Sequence, residues 1–200
     1  MDFDQVVRTR KMTRNFESRP IPEFVLAKIV SNAQRAPSAG HSQGTSLIIL
    51  ASPQETEEYW KATTTSDWRK NSRRSTLMDA PVVILVCCDP TAYTARYSLD
   101  DKIDSDLSRI EGWPVPYWTV DASMCAMTIL MTCTNEGLGA CFLGMFRGEG
   151  ELRQALSISD HLQLIGAICV GYPKLPDPPS RSALIPKVPI ENFVRWRRGG

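Results

Sequence analysis

Residues Val82-Val83-Ile84-Leu85-Val86-Cys87-Cys88 form the run that most limits what this chain can become. Seven apolar residues in succession, most of them β-branched, leave neither face of a strand for water. Such a run reads as a buried central strand of a sheet, with both faces covered. The rest of the chain can supply that cover, because 42% of its residues are hydrophobic and only 22% are charged. That balance excludes wholesale disorder. The length of 200 residues fits one domain, residues 1–200, with 174–200 as an extended C-terminal arm.

Around this strand the pattern mixes helices and strands. Val25, Leu26, Ile29, Val30 and Ala33 share one helical face over 23–35, with Pro22 at the start and Pro37 beyond the end. Strands are expected at 47–50, 140–143 and 164–171, and helices at 54–64, 119–135 and 151–156. Gly137 is placed to stop the longest helix. Leu99, Ile103, Leu107 and Ile110 step by four, four and three, which predicts an amphipathic helix there. Trp113-Pro114-Val115-Pro116-Tyr117-Trp118 then reads as a rigid aromatic connector. The order is not a regular alternation of strand and helix, so the expected class is α+β rather than a doubly wound sheet.

The balance of 23 basic and 22 acidic residues gives a net charge of +1, which argues against a chain devoted to nucleic acid. The N-terminus Met-Asp-Phe-Asp-Gln has acids where a secretory leader needs bases. The most apolar stretch, 122–133, falls short of the ~20 residues that cross a membrane. A cytoplasmic protein without membrane partners is expected. None of the six cysteines forms a C-x-x-C pair, and the two histidines cannot complete a zinc cluster, so reduced core thiols and no metal are expected. The tail after Tyr172 is rich in proline yet ends on Ile190-Glu191-Asn192-Phe193-Val194-Arg195-Trp196. That end is too apolar for water and reads as an arm laid on a partner subunit.

Three patterns invite chemistry. Gly40-His41-Ser42-Gln43-Gly44 matches the G-x-S-x-G of serine hydrolases, with Ser42 as nucleophile and His161 as a possible base. That motif needs a strand before the serine and a helix after it; here the order is reversed. Gly137-Leu138-Gly139 and Gly144 suggest a dinucleotide turn, but they too follow a helix and precede a strand. Arg8, Arg10, Lys11 and Arg14 gather four cations within seven residues. On a helix Arg10 and Arg14 would share a face, and their paired N–H donors suit a phosphate.

Three segments in order resemble one family. Arg10-Lys11-Met12-Thr13-Arg14-Asn15-Phe16 is similar to its opening basic motif. Ala36-Pro37-Ser38-Ala39-Gly40-His41-Ser42-Gln43 is similar to its A-P-S-x-x-N-x-Q loop. Gly137 to Gly144, followed by Val170-Gly171-Tyr172-Pro173, resembles its glycine strand and closing G-Y-P. The family is the FMN-dependent nitroreductases, and the likeness runs from about residue 6 to residue 196.

The resemblance implies an α+β homodimer with a mixed, mainly antiparallel central sheet flanked by helices. Its C-terminal arms would be exchanged between subunits, with FMN at the interface. NADH or NADPH would pass a hydride to flavin N5, and the flavin would reduce a small organic acceptor such as a nitroarene or quinone. Arg10 would hold the phosphate, with Lys11 and Met12 along the phosphate and ribityl chain and Lys187 reaching in from the arm. Arg14 would lie near N1 and O2, where hydride transfer builds negative charge. Pro37, Ser38, Ala39 and His41 would reach the ring from the other subunit; Leu143, Gly144 and Met145 would run beside it. The flavin carries the chemistry, so no protein residue is assigned as catalytic. Arg73 and Arg74 extend the positive surround without a firm place in the motifs. Met12 stands where the family has serine, and His41 where it has asparagine. Two other readings remain: a non-catalytic protein that binds or stores flavin, and a serine hydrolase using Ser42.

Overall fold

A computed structural model describes residues 1–197. The elements in order are α1 (Phe3–Thr9), β1 (Phe16–Glu17), α2 (Glu23–Ala33), β2 (Thr45–Leu50), α3 (Pro53–Thr63), α4 (Ser66–Asn71), β3 (Val82–Cys88), α5 (Pro90–Tyr97), α6 (Tyr117–Asn135), β4 (Gly139–Leu143), α7 (Glu149–Leu156), β5 (Gln163–Pro173) and α8 (Ile190–Phe193). The class is α+β. The strands form one five-stranded antiparallel sheet in which β3 lies between β2 and β5. The far edge of β5 is shared: β4 pairs with Ala167–Gly171, and β1 takes over at Tyr172 and Pro173.

The expected central strand is β3, and its side chains explain the unbroken apolar run. Val82, Ile84, Val86 and Cys88 point to a core with Ile29 and Ala33 of α2 and Ala122, Cys125 and Ile129 of α6. Val83, Leu85 and Cys87 point the other way, to Tyr59 and Trp60 of α3 and Leu152 of α7. Alternation by two thus feeds two apolar layers, and a polar residue at any of the seven positions would be buried.

Local signals fix several ends. Ser52 and Glu55 form a capping box before α3, whose first residue is Pro53. Gly137, at φ +72°, ends α6, and the Leu138 N–H reaches back to the Cys133 carbonyl at 2.8 Å.

The helix expected over 99–110 does not form. The segment holds only two 3-10 turns, Ile103–Ser105 and Ile110–Gly112, and Asp106 sits left-handed at φ +58°. Asp100, Asp101, Asp104 and Asp106 crowd this stretch, and aspartate side chains compete for backbone partners in ways that favour turns. Asp101 is drawn off by a two-pronged bond to Arg96, 2.7 Å at each oxygen. Leu107 packs against the core, while Leu99, Ile103 and Ile110 stay about half exposed.

The shared helical face of Arg10 and Arg14 is also absent, because α1 stops at Thr9 and Arg10 is its C-terminal cap. The arm runs from Lys174 with little secondary structure; its last three residues, 198–200, lie outside the described residues. No helix among the described residues is long and apolar enough to cross a membrane.

Candidate functional site

The basic segment is positioned by the sheet rather than by a helix. Met12 bridges Ala140 of β4 in parallel fashion, and the Thr13 N–H donates to the Ala140 carbonyl at 3.0 Å. Thr13 is buried against Gly139, where a β-carbon would come within 2.6 Å of its side chain. Met12 packs its half-buried side chain against both core layers, a use that a serine could not serve.

This register brings the cations beside β4 and the arm. The half-buried Arg14 donates from Nη1 to the Met12 carbonyl at 3.2 Å, and its backbone N–H donates to Asp177 Oδ1 at 3.2 Å. Lys11 Nζ stands 3.7 Å from the other oxygen of Asp177, whose side chain is nearly buried. Arg14, Arg73, Arg74 and Arg181 line one cavity of about 710 Å³, with Asp177 as its acid. Arg10 differs from its neighbours: its Nη1 is buried and has no hydrogen-bond partner. An unmet donor on a buried cation is costly, by about 1–3 kcal/mol or more. A compact anion such as a phosphate would meet that need.

Leu143, Gly144 and Met145 lie at the end of β4 and line a second cavity of about 270 Å³ with Trp60, Trp68 and Phe146. The two indoles stack with centroids 6.3 Å apart and planes 12° from parallel. Phe146 is 91% exposed, and a β-carbon on Gly144 would come within 2.6 Å of its ring. Within this chain, then, the glycine makes room for Phe146.

The loop of Pro37, Ser38, Ala39 and His41 stands elsewhere. Pro37 and Ser38 line a third cavity with Val30, Ser46 and Leu47, between α2 and β2. Arg14, the pair Pro37 and Ser38, and Leu143 to Met145 therefore line three different cavities of the one chain. Lys187 stands exposed on the arm. Gly40, His41 and Gln43 have φ of +59°, +58° and +53°. For the two residues with side chains that conformation costs roughly 1–2 kcal/mol each.

Two tempting chemistries find no support. The Ser42 hydroxyl donates to the Ala39 carbonyl at 2.7 Å, while His161 Nδ1 pairs with Ser159 at 2.6 Å. All six cysteines are free and buried. Burial pushes the Cys87 and Cys125 thiols up to about 11 and those of Cys88 and Cys133 up to about 12. These are packed thiols, far from the thiolate state that nucleophilic work requires. The two tryptophans of the aromatic connector are core as well, while Val115 and Tyr117 stay exposed: Tyr93, Tyr97, Tyr117 and Trp118 pack around Trp113 with centroids 4.7 to 6.1 Å away.

Sequence reading missed Asp177, Arg181 and Asp121. The first two sit on a proline-rich tail that carries no periodic pattern. Asp121 is a lone acid within an apolar helix, which was a usable signal: burial of such a group demands partners.

The fold and the motif order define a nitroreductase-like α+β protein. The chain belongs to the nitroreductase family, whose profile matches residues 7–172. Among relatives, a Methanothermobacter thermautotrophicus protein provisionally named NADH dehydrogenase/NAD(P)H nitroreductase is 28% identical over 177 residues, 86% of this chain and 78% of that one. A Staphylococcus aureus NADPH-dependent oxidoreductase is 22% identical over 196 residues, 96% of this chain and 72% of that one. A crystallised nitroreductase family protein from Clostridium difficile superposes with a TM-score of 0.69 at 22% identity, covering 99% of both chains.

Proposed function

We propose that this chain is an FMN-dependent oxidoreductase that passes hydride from NADH or NADPH to a small organic acceptor, a nitroarene or quinone, in the cytoplasm. The observation that carries the reading is the orphaned Nη1 of Arg10, in a segment whose Arg14 lines an arginine-rich cavity and whose Lys11 reaches that cavity's Asp177. That donor set fits a flavin phosphate and an electron-rich ring edge. The names of the relatives, which mention NADH and NADPH, support the choice of reductant.

When bound, FMN supplies a ring that takes up hydride at N5 and gives it up again. The residues of the chain do the rest. Arg10 holds the phosphate, assisted by Lys11, whose contact with Asp177 is long enough to give way. Arg14 is fixed by the Met12 carbonyl and offers its charge where reduction accumulates negative charge. Arg73, Arg74 and Arg181 raise the local positive potential, against the single carboxylate of Asp177. Leu143, Gly144 and Met145 bound the ring on one side.

The loop at 37–41 completes the site from a second copy of the chain. It lines a cavity of its own here, and the arm leaves large apolar side chains uncovered, so a homodimer answers both facts.

The test is direct. Protein soaked in FMN and desalted keeps one flavin per chain, and stopped-flow mixing with NADH or NADPH bleaches it. Absence of flavin absorbance sinks the proposal. Bound flavin that neither nicotinamide reduces leaves a storage protein instead.

A further inference from the structure

Asp121 sits near the start of α6 and is 2% exposed, yet both of its donors are neutral. One oxygen, Oδ2, accepts both the Tyr93 hydroxyl at 2.7 Å and the Ala39 N–H at 2.8 Å. A carboxylate buried without a cation is unfavourable unless something else depends on it. What it touches is the backbone of the loop that carries Pro37, Ser38 and His41.

That loop needs an external hold. Three of its residues are left-handed, and only Gly40 among them has a glycine's freedom. Four bonds hold it, two from the helices beneath and two within the loop itself. Asp121 takes Ala39, Arg96 Nε donates to the Gly40 carbonyl at 2.8 Å, and the Gln43 N–H donates to Ser38 Oγ at 2.8 Å. The fourth is the His41 N–H to the Ser38 carbonyl at 2.9 Å. The Tyr97 ring closes on Gly40 so tightly that a β-carbon would come within 2.6 Å. The backbone is thus tied to α5 and α6, while Pro37 and His41 remain exposed above it.

We propose that Asp121, with Tyr93, is a positioning pair that holds the Pro37–His41 loop in the strained shape that meets the flavin. The proposal rests on the FMN reading above and adds to it two residues that touch neither flavin nor substrate. Tyr93 anchors the carboxylate, and burial together with Asp121 pushes its own hydroxyl pKa upward, so it stays a donor. Asp121 then holds Ala39, and α6, locked into the core by Ala122 and Cys125, fixes the whole assembly.

The experiment compares Asp121→Ala, Asp121→Asn and Tyr93→Phe with Thr132→Ala, a buried polar position on the same helix that meets Asn32 instead. Each is titrated with FMN and with riboflavin, and the visible circular dichroism of the bound flavin is recorded. Asp121→Ala is expected to weaken both flavins equally, by about tenfold or more, because the loop serves the ring. Tyr93→Phe does so by about threefold, and Asp121→Asn, which keeps an acceptor, recovers most of the loss. Thr132→Ala lowers the thermal midpoint but leaves the flavin spectrum unchanged. Hydrogen exchange without flavin reads the hold itself: amides at 39–43 quicken in Asp121→Ala and, less, in Tyr93→Phe, and stay near the wild type in Asp121→Asn and Thr132→Ala. Unchanged exchange in Asp121→Ala, or a flavin spectrum and affinity in that variant that match the wild type, overturns the proposal. A wild type that takes up no flavin overturns the oxidoreductase reading and this inference together; normal wild-type uptake with an indifferent Asp121→Ala overturns only this one.

Discussion

Strand β3 and the arm that follows β5 are both rich in large apolar side chains, and they stand at opposite limits of burial. Every residue of β3 is at most 2% exposed. On the arm, Leu184, Ile185, Val188, Ile190, Phe193 and Trp196 are 64 to 78% exposed. The strand finds all its cover within the chain, from helices on two sides. The arm finds none, and covering each such side chain is worth roughly 1.5–3 kcal/mol. Arg10 repeats the contrast in polar form, since it alone in the basic segment has a buried donor without a partner. Where the chain completes itself it is a scaffold; where it does not, something else is to be bound.

The largest test of that contrast removes the arm. Deleting residues from Ser180 onward keeps Asp177 and its bonds to the basic segment. The sheet is expected to survive while association is lost, and bound flavin with it. A shortened chain that sediments as a dimer would break the comparison. Next comes the interior. Ile84→Ala opens a cavity in a fully buried strand and is expected to cost about 2–5 kcal/mol in urea unfolding. Loss below about 1 kcal/mol would mean that the two layers close up around β3, contrary to their packing.

Arg10→Ala sits between these extremes. It removes an unmet donor, so the unliganded fold should keep its stability or gain slightly. FMN affinity should fall by about 1.5–3 kcal/mol, the range for hydrogen bonds to charged groups, as read by fluorescence titration. The gentlest test uses the thiols of β3. Folding raises Cys87 from 9.0 to about 11 and Cys88 from 9.0 to about 12. The unfolded chain therefore gives up these protons first, and the folded chain is favoured fully only below pH 9. Stability should decline above pH 9 and stop declining for these groups near pH 11 to 12, at about 1.4 kcal/mol per pH unit for each thiol. Cys87→Ser should flatten the slope by one such share.

The sequence announced the scaffold far better than the site. Val82–Cys88 was legible because seven apolar residues admit few structures, and the observed strand has the same bounds. The longest helix was legible because Gly137 stops it, although it starts two residues earlier than expected, at Tyr117. The 99–110 helix misled because spacing alone says nothing of aspartates that prefer turns. Helices α1, α4 and α5 are short; Asp2 with Gln5, Thr65, and Asp89 before Pro90 were their N-terminal marks. The family likeness was readable from three short motifs, and the profile match bears it out. How the cations are held was not readable, because a two-residue strand and an isolated bridge leave no periodic trace.

That two-residue strand has a consequence for length. Met12 is pinned level with Ala140, which pairs with Val170, and Phe16 is pinned to Pro173 of the same β5. Between those two posts the path is roughly 11 Å, three residues along β5 and one strand spacing sideways. Four residue steps reach at most ~14 Å. The cationic segment is therefore a cord with less than one residue of slack. Side chains on it can be exchanged, but an inserted residue has nowhere to go except outward, carrying Arg14 off its seat. Insertions and deletions within 12–16 should be far rarer than substitutions in any set of variants selected for function.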